Sequence, residues 1–344
     1  MKKLILAIAL LLALGACKSN DSYPVPHPEP PPIPGPEVPP VPEPEPPPIP
    51  PAPEPEPVWP PGPALDNGTI RLRLGTEHGG SIVHLGLSGG PNLINNFDRG
   101  RQIQQSYYAG RDIVRPGQHE SWSPWAWNPI QSGDVYGNQG RIVEMTLDGH
   151  SAYVKTVPAF WERDGVYCES CTMETWITLD KNKAHVRSRF EIGANETGIG
   201  AVIPRHQELP AIYTVSSLGR LVTYLGDSPC TGGSPIRITK KTIPDQPDMP
   251  WNYWPSPEYP GASTEMWAAA TDSSLNGIGI VSRDAELFIG GKYGSSSTNP
   301  FASPTTYFSP LRTVGLGPGS VLESSYTLIV GHVDEIRAYA CEGR

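Results

Sequence analysis

From residue 64 onward, apolar and polar residues alternate with a period of two, and this pattern constrains the fold more than any other feature. Ile70, Leu72 and Leu74 alternate with arginines, and residues 184–192 and 321–330 continue the pattern. Such alternation places one set of side chains against a core and the other toward solvent, as in half-buried β-strands. Clusters of Gly, Asn, Asp, Ser and Pro separate the runs, and no dozen residues have helical periodicity. The sequence therefore predicts an all-β chain.

The predicted strands belong to one domain, residues 64–344. Its length suits a single large antiparallel β-sandwich, and about a dozen or more short strands joined by long loops favour that architecture. The domain carries 23 Lys and Arg against 28 Asp and Glu and has no basic block. We therefore expect no nucleic acid partner.

The first 17 residues have the layout of a secretory signal. Two lysines precede an apolar run over residues 4–14, and small residues lead to LGAC, which ends at Cys17. This ending resembles the bacterial lipoprotein signal, in which the cysteine is acylated and becomes the mature N-terminus. The resemblance implies a signal peptide over residues 1–17 and a membrane anchor through lipidated Cys17; a plain secretory signal is the alternative. Lys18, where an aspartate often marks inner-membrane retention, implies the outer membrane, with the domain facing the periplasm or the cell surface.

Residues 18–63 form a Pro/Glu-rich segment. Of the 42 prolines in the chain, 23 lie between Pro24 and Pro63. A segment with few backbone donors and little apolar surface cannot offset the entropy lost on ordering, so we predict a disordered linker. In polyproline II conformation, at ~3.1 Å per residue, it would reach roughly 120 Å from the membrane. A passive linker and a recognised proline ligand are both compatible with this composition.

The opening of the domain carries a family resemblance. Residues 77–85 read EHGGSIVHL and residues 92–101 read NLINNFDRGR. These stretches resemble the opening strands and the arginine-bearing segment of galactose-mutarotase-like proteins. The resemblance implies a β-supersandwich with a carbohydrate cleft, a fold shared by epimerases, polysaccharide lyases and hydrolase domains. The full catalytic His and Glu pattern of aldose epimerases has no counterpart here.

A first polar cluster spans residues 98–108, DRGRQIQQSYY. Alternate positions of an extended chain would share one face, namely Gln102, Gln104, Ser106 and Tyr108. Guanidinium and amide groups suit sugar hydroxyls or a uronate carboxylate, and an activated tyrosine can act as acid or base. The residues predicted to bind sugar are Arg99, Arg101 and Gln104, and Tyr107 is predicted to transfer a proton. The alternative is a buried polar network that braces the sandwich.

A second cluster spans residues 119–137 and contains Trp122, Trp125 and Trp127 within six residues. Long loops are frequently functional, and indole rings suit the apolar face of a sugar. We predict that Trp127 and Asn128 bind the sugar and that Asp134 contributes to proton chemistry. The alternative is a hydrophobic plug that closes one end of the sandwich.

A third cluster spans residues 205–213, RHQELPAIY. In a strand His206 and Glu208 point the same way, roughly 6.6–7 Å apart. Histidine has a suitable pKa for proton transfer near neutrality. We predict catalytic roles for His206 and Glu208, a binding role for Arg205, and the end of the strand at Pro210. A structural histidine is the alternative.

Four cysteines follow the one in the signal: Cys168, Cys171, Cys230 and Cys341. In an oxidising compartment this even number predicts up to two disulfides, with three complete pairings. The Cys168–Cys171 spacing also fits a redox motif or half a zinc site. Because HExxH, P-loop and dinucleotide motifs are absent from the sequence, we expect neither a metal nor a cofactor.

Together these features predict an envelope lipoprotein that binds and processes a carbohydrate as a lyase, glycoside hydrolase or epimerase. The alternative is a non-catalytic module that binds a glycan or another envelope component. The expected partners are a glycan and, through the lipid, the membrane; the oligomeric state stays open.

Overall fold

The computed structural model describes residues 63–109, 127–238, 252–255 and 264–342. The signal over residues 1–17, the lipidation site Cys17, residues 18–62 of the linker, and Trp122 and Trp125 lie outside the described residues. Their roles therefore stay predictions. Among the described residues, no helix combines the length and the apolar character needed to cross a bilayer.

Two antiparallel sheets form a sandwich, which confirms the predicted fold class. Strands are numbered here in chain order. The first sheet runs in the order β1 (Ala64–Asp66), β2 (Ile70–Leu74), β3 (Ile82–Leu87), β4 (Ile103–Ser106), β11 (Pro204–Val215), β18 (Thr305–Gly315), β17 (Leu287–Tyr293) and β14 (Asn252–Trp254), with β5 (Pro129–Ile130) beside β4 and β8 (Ala159–Phe160) beside β5. The second runs in the order β13 (Ile236–Ile238), β12 (Arg220–Thr223), β15 (Trp267–Thr271), β16 (Asn276–Val281), β19 (Val321–His332), β10 (Lys183–Ile192), β9 (Cys171–Asp180), β7 (Ser151–Val157) and β6 (Arg141–Asp148).

The main core lies between the sheets and follows the alternation of the sequence. Leu72, Ile212 and Phe308 of the first sheet pack with Ile278 and Leu328 of the second, and all five are fully buried. A second apolar cluster contains Tyr107, Trp127, Phe160, Phe190 and Leu209. Residues adjacent to these in a strand point away from the core.

One α-helix, α1 (Val333–Cys341), follows the last strand and was not predicted. At nine residues it is too short for a clear periodic signal. His332 caps it, with Glu335 completing a capping box. Val333, Ile336 and Ala340 bury its inner side against the outer face of the second sheet. A disulfide between Cys230 and Cys341 ties the end of the helix to the loop that follows β12.

Strand β11 does not end at Pro210, contrary to the prediction. The strand passes through a cis Leu209–Pro210 peptide and shifts its register against β18 between Glu208 and Ile212. Proline is tolerated at such a bulge because its missing N–H falls where the ladder is interrupted. The bulge places Glu208 and Tyr213 on the same face of the sheet, although an offset of five positions would put them on opposite faces of a regular strand.

Candidate functional site

The candidate site lies on the face of the first sheet that points away from the core. Ile212 and Phe308 are paired across β11 and β18 and belong to the core. Their neighbours Tyr213 and Tyr307 are also paired and therefore point outward. We call Tyr108, Glu208, Tyr213 and Tyr307 the Glu208 cluster.

Glu208 is the centre of this cluster. The hydroxyl of Tyr108 donates to its Oε2 at 2.9 Å, and the hydroxyl of Tyr307 donates to its Oε1. Only 5% of Glu208 is exposed. Burial raises the pKa of this carboxyl above its ordinary value, and hydrogen bonds from Tyr307, Ser106 and Tyr108 oppose that rise. A carboxyl that keeps its proton to a higher pH can act as a general acid.

The surrounding tyrosines are held as neutral hydroxyls. Burial, together with the adjacent Glu208 charge, raises the pKa of Tyr108 and of Tyr307 well above the ordinary value. Burial also raises the pKa of Tyr213, whose ring centroid lies 4.6 Å from that of Tyr307. These hydroxyls therefore keep their protons throughout the neutral range.

His206 stands on the same wall as Glu208, two residues earlier in β11. Its Nδ1 lies 3.0 Å from Oγ1 of Thr313, which pairs with it across β18. Its ring centroid is 5.7 Å from that of Tyr253 on β14. His206 and Tyr253 are both exposed, so this end of the face is accessible to solvent.

Arg101 lies beside the tyrosine side of the cluster. Its guanidinium is 6.0 Å from the ring centroid of Tyr213 and 5.0 Å from that of Phe97. Its Nε lies 3.5 Å from Oδ2 of Asp98. Burial raises the pKa of Asp98 above its ordinary value, and the charge of Arg101 opposes that rise. Phe97 is 50% exposed and offers an apolar surface next to this cation.

Tyr107 does not reach the cluster. It is 1% exposed and stacks on Phe190 of the second sheet, with centroids 4.5 Å apart. The alternation of β4 continues past Ser106, so Tyr107 points into the core while Tyr108 points outward. Tyr108, and not Tyr107, therefore presents its hydroxyl to Glu208.

Asp134 braces a loop instead of meeting Glu208. It is 1% exposed and accepts hydrogen bonds from the backbone N–H groups of Tyr136, Asn138 and Gly165 at 2.8–3.0 Å. The side chain of Asn138 donates a further bond at 2.7 Å. A carboxylate satisfied in this way holds its loops together, and it is not available to a substrate.

Arg99 and Gln104 hold the segment that carries Arg101. Arg99 donates through Nε to the carbonyl of Gly137 at 2.9 Å. Gln104, buried, donates to the carbonyls of Arg99 and Arg101 at 2.9 and 2.6 Å and accepts from the N–H of Ser132. Their contacts match the bracing alternative and position Arg101.

Trp127 and Asn128 are buried away from the cluster, as the alternative of a hydrophobic plug anticipates. Trp127 is 2% exposed, with its centroid 5.9 Å from Phe160 and 6.1 Å from Phe190. Trp127 also lines a cavity of about 370 Å³ whose described lining includes no member of the Glu208 cluster.

Arg205, half-buried, precedes His206 and so lies on the opposite face of β11.

Two tyrosines of this face, Tyr213 and Tyr307, were assigned no role from the sequence. Tyr307 lies in β18, a strand absent from the sequence-based assignment. Alternation of Thr305, Tyr307 and Ser309 with core residues was the available signal. The pairing of β11 with β18, which lie about a hundred residues apart in the chain, brings the hydroxyl of Tyr307 to Glu208.

The four cysteines pair as Cys168–Cys171 and Cys230–Cys341. Glu196 lies beside the first pair, where its Oε2 accepts a hydrogen bond from the hydroxyl of Ser170 at 2.7 Å. As disulfides, these sulfurs are not thiolate ligands for a metal.

Comparisons with known proteins give structural likenesses only. Neither a protein-family model nor a curated protein matches the sequence. Among solved structures, a galactose mutarotase-like protein from Lactobacillus casei ATCC 334 aligns with 78% of this chain and 99% of its own, at 10% identity and a TM-score of 0.46. A galactose mutarotase related enzyme from Lactobacillus acidophilus aligns with 78% and 96%, at 9% identity and a TM-score of 0.43. A protein from Synechocystis sp. PCC 6803 aligns with 80% and 98%, at 11% identity and a TM-score of 0.45. Likenesses of this degree do not extend to activity.

Proposed function

We propose that the outer face of the first sheet binds a saccharide and that Glu208 exchanges a proton with it. One observation carries the proposal: a buried carboxyl with a raised pKa is held by two tyrosine hydroxyls on the face away from the core. Burying such a group is costly, and shifted carboxyls of this kind concentrate at functional sites. The exposed His206 and Tyr253 next to it give a ligand access.

The reaction class that fits best is acid–base interconversion of a sugar, of the epimerase type. Protonated Glu208 gives its proton to the ring oxygen as the bond from that oxygen to the anomeric carbon breaks. His206 takes the proton of the anomeric hydroxyl, whose O–H electron pair completes the carbonyl. The two groups lie on one wall, roughly 6.6–7 Å apart by strand spacing.

Glycoside hydrolysis fits less well. It uses two carboxyl groups about 5–9.5 Å apart around the bond. Asp134, the second predicted carboxylate, is engaged in its loop. A lyase acting on a uronic acid needs one base and one cation. Because His206 can serve as the base and Arg101 as the cation, a lyase reaction is the second enzymatic candidate.

A non-catalytic glycan-binding surface is the rival function. Its supporting observation is the pair of exposed rings at the two ends of the face, Phe97 at 50% and Tyr253 at 44%. Aromatic rings suffice to bind a sugar without any proton transfer.

Turnover assays separate these functions. The parent protein would be given D-galactose and D-glucose as single anomers, followed by NMR, and polygalacturonate, followed by the absorbance of unsaturated product. We expect Glu208→Gln to retain saccharide affinity and lose about 10²–10⁴-fold in kcat. The matched control Glu144→Gln, an exposed carboxylate on β6, keeps parental activity. Saccharide binding without turnover by the parent would favour the rival, and neither binding nor turnover would refute both.

We also propose that the domain is anchored to the bacterial outer membrane through lipidated Cys17 and held out by residues 18–63. The support is the LGAC ending and the proline content of the sequence. Metabolic labelling with an alkyne fatty acid should mark the parent and leave Cys17→Ser unlabelled. Equal labelling of both proteins would contradict the anchor.

A further inference from the structure

A groove of about 440 Å³ crosses the outer face of the second sheet, on the other side of the sandwich from the Glu208 cluster. Two cross-strand rows form its floor, Trp176–Arg187–Ser325 and Thr178–His185–Thr327. Tyr339 of α1 lines one side, and Arg283 and Asp284 of the turn after β16 also contribute to the lining.

The polar groups of the groove are already arranged by contacts among themselves. Nδ1 of His185 lies 3.1 Å from Oγ1 of Thr327, which in turn lies 3.1 Å from the hydroxyl of Tyr339. Asp284 is fixed by the N–H of Ser325, which donates to its Oδ2 at 3.0 Å. Such prior ordering lowers the entropy that a ligand would have to offset.

The groove also combines aromatic rings with a half-exposed cation. The Arg187 guanidinium lies 4.8 Å from the ring centroid of Trp176 and 3.1 Å from Glu323. Both members of that ion pair are about half exposed, so the pair is weak and can be exchanged for contacts to a ligand. Donors, acceptors and indole surface thus meet within a space large enough for one sugar ring.

We propose that this groove is a second binding site, and that it takes a neutral hexopyranose unit. Hydroxyl, imidazole and guanidinium groups on the floor match vicinal sugar hydroxyls, which both donate and accept. The carboxylate of Asp284 can accept from a sugar hydroxyl. Together with Glu323, which is paired with Arg187, it offsets the charges of Arg187 and Arg283, so the groove carries no net charge that would favour an anionic sugar. The choice of a saccharide follows the function proposed for the Glu208 cluster, whereas the groove itself is independent of it.

Titration of the full-length protein by NMR tests the proposal, with the indole N–H of Trp176 assigned through Trp176→Phe. The probes are the methyl glycosides of D-glucose, D-galactose and N-acetyl-D-glucosamine, with D-galacturonate as the charged comparison. We expect a saturable shift of the Trp176 signal with at least one neutral glycoside. Arg187→Gln should weaken that binding about tenfold, the effect of one hydrogen bond.

Two further variants keep the test decisive. Ser325→Trp fills the groove from an exposed position and should abolish the shift, while Arg237→Gln, an exposed arginine on β13 of the same sheet, should leave it unchanged. Glu208→Gln should also leave it unchanged, so failure at one site is distinguished from failure at the other. No saturable shift with any neutral glycoside, or an unaltered shift in Ser325→Trp, would overturn the site. Binding of galacturonate alone would overturn the ligand class.

Discussion

Replacing Glu208 with glutamine should make the stability of the protein less dependent on pH, and this follows directly from how the carboxyl is buried. Burial raises the pKa of Glu208 above that of an unfolded glutamate, near 4.5. The folded state therefore binds this proton more tightly than the unfolded state. Its contribution to stability is complete below about pH 4.5 and is lost as pH rises through the folded pKa.

The size of the effect is set by linkage. Each unit by which the folded pKa exceeds the unfolded one removes about 1.4 kcal/mol of stability at pH values above both. Glutamine is nearly isosteric and stays neutral. Its oxygen can accept from one of the two tyrosine hydroxyls, and its NH2 group can donate to the oxygen of the other. Relative to the parent, Glu208→Gln should therefore gain stability as pH rises from about 4.5 toward neutrality.

The assay is urea unfolding of parent and variant from about pH 4 to pH 8. The unfolding free energy of the variant minus that of the parent is plotted against pH. Taking the difference removes the contributions of groups that both proteins share. Glu144→Gln on β6 serves as the exposed control and should give a flat difference. A difference that stays flat for Glu208→Gln, or that falls as pH rises, would refute the assignment of a raised pKa.

Four further predictions concern other parts of the fold. Tyr307→Phe removes a donor to buried Glu208 and should cost about 1.5–3 kcal/mol of unfolding free energy when the carboxylate is charged; no loss in urea unfolding near neutral pH would contradict the contact. Burial lowers the pKa of His84 to about 4. The unfolding free energy should therefore fall as pH drops from about 6.5 toward 4. A fall of the same size in His84→Gln would exclude His84 as its source. Arg337 forms an ion pair with buried Glu265 at 2.7 Å, and Arg337→Met should cost roughly 3 kcal/mol by leaving that charge unpaired; thermal and urea unfolding that match the parent would count against it. Removing the Cys230–Cys341 disulfide by double serine substitution should cost about 2–5 kcal/mol, and an unchanged urea midpoint would show that the bridge does not hold α1.

The architecture was predictable because it depends on local pattern. The alternation of Ile70, Leu72 and Leu74 fixes which side chains enter the core, and it recurs in the long strands β9, β10 and β19. The helix α1 escaped detection because its nine residues form only about two and a half turns, in which just three residues, Val333, Ile336 and Ala340, are buried. Strand β18 escaped because its alternation includes small polar residues.

The candidate site was predictable only in part. His206 and Glu208 lie on the same face because they are two residues apart in one strand, and this spacing can be read from the sequence. The identity of their neighbours depends on long-range pairing: Tyr307 meets Glu208 through the register of β18, which a bulge at Pro210 shifts. Tyr107 and Tyr108 differ by one position, so only the phase of β4 decides which hydroxyl faces Glu208. Trp127 and Asp134 are residue types that occur in sugar sites. In this fold Trp127 packs in the second apolar cluster, and Asp134 accepts hydrogen bonds from its own loops.

The most direct test of the central claim is a titration of the Glu208 side chain itself. The ¹³Cδ resonance of Glu208, assigned through Glu208→Gln, would be followed against pH with and without the saccharide that the turnover assays identify. We predict a midpoint above 4.5 in the free protein and a further change of midpoint when the saccharide binds. A midpoint at or below 4.5 that the saccharide leaves unchanged would contradict the assignment of Glu208 as the proton-transfer group of a sugar-binding face.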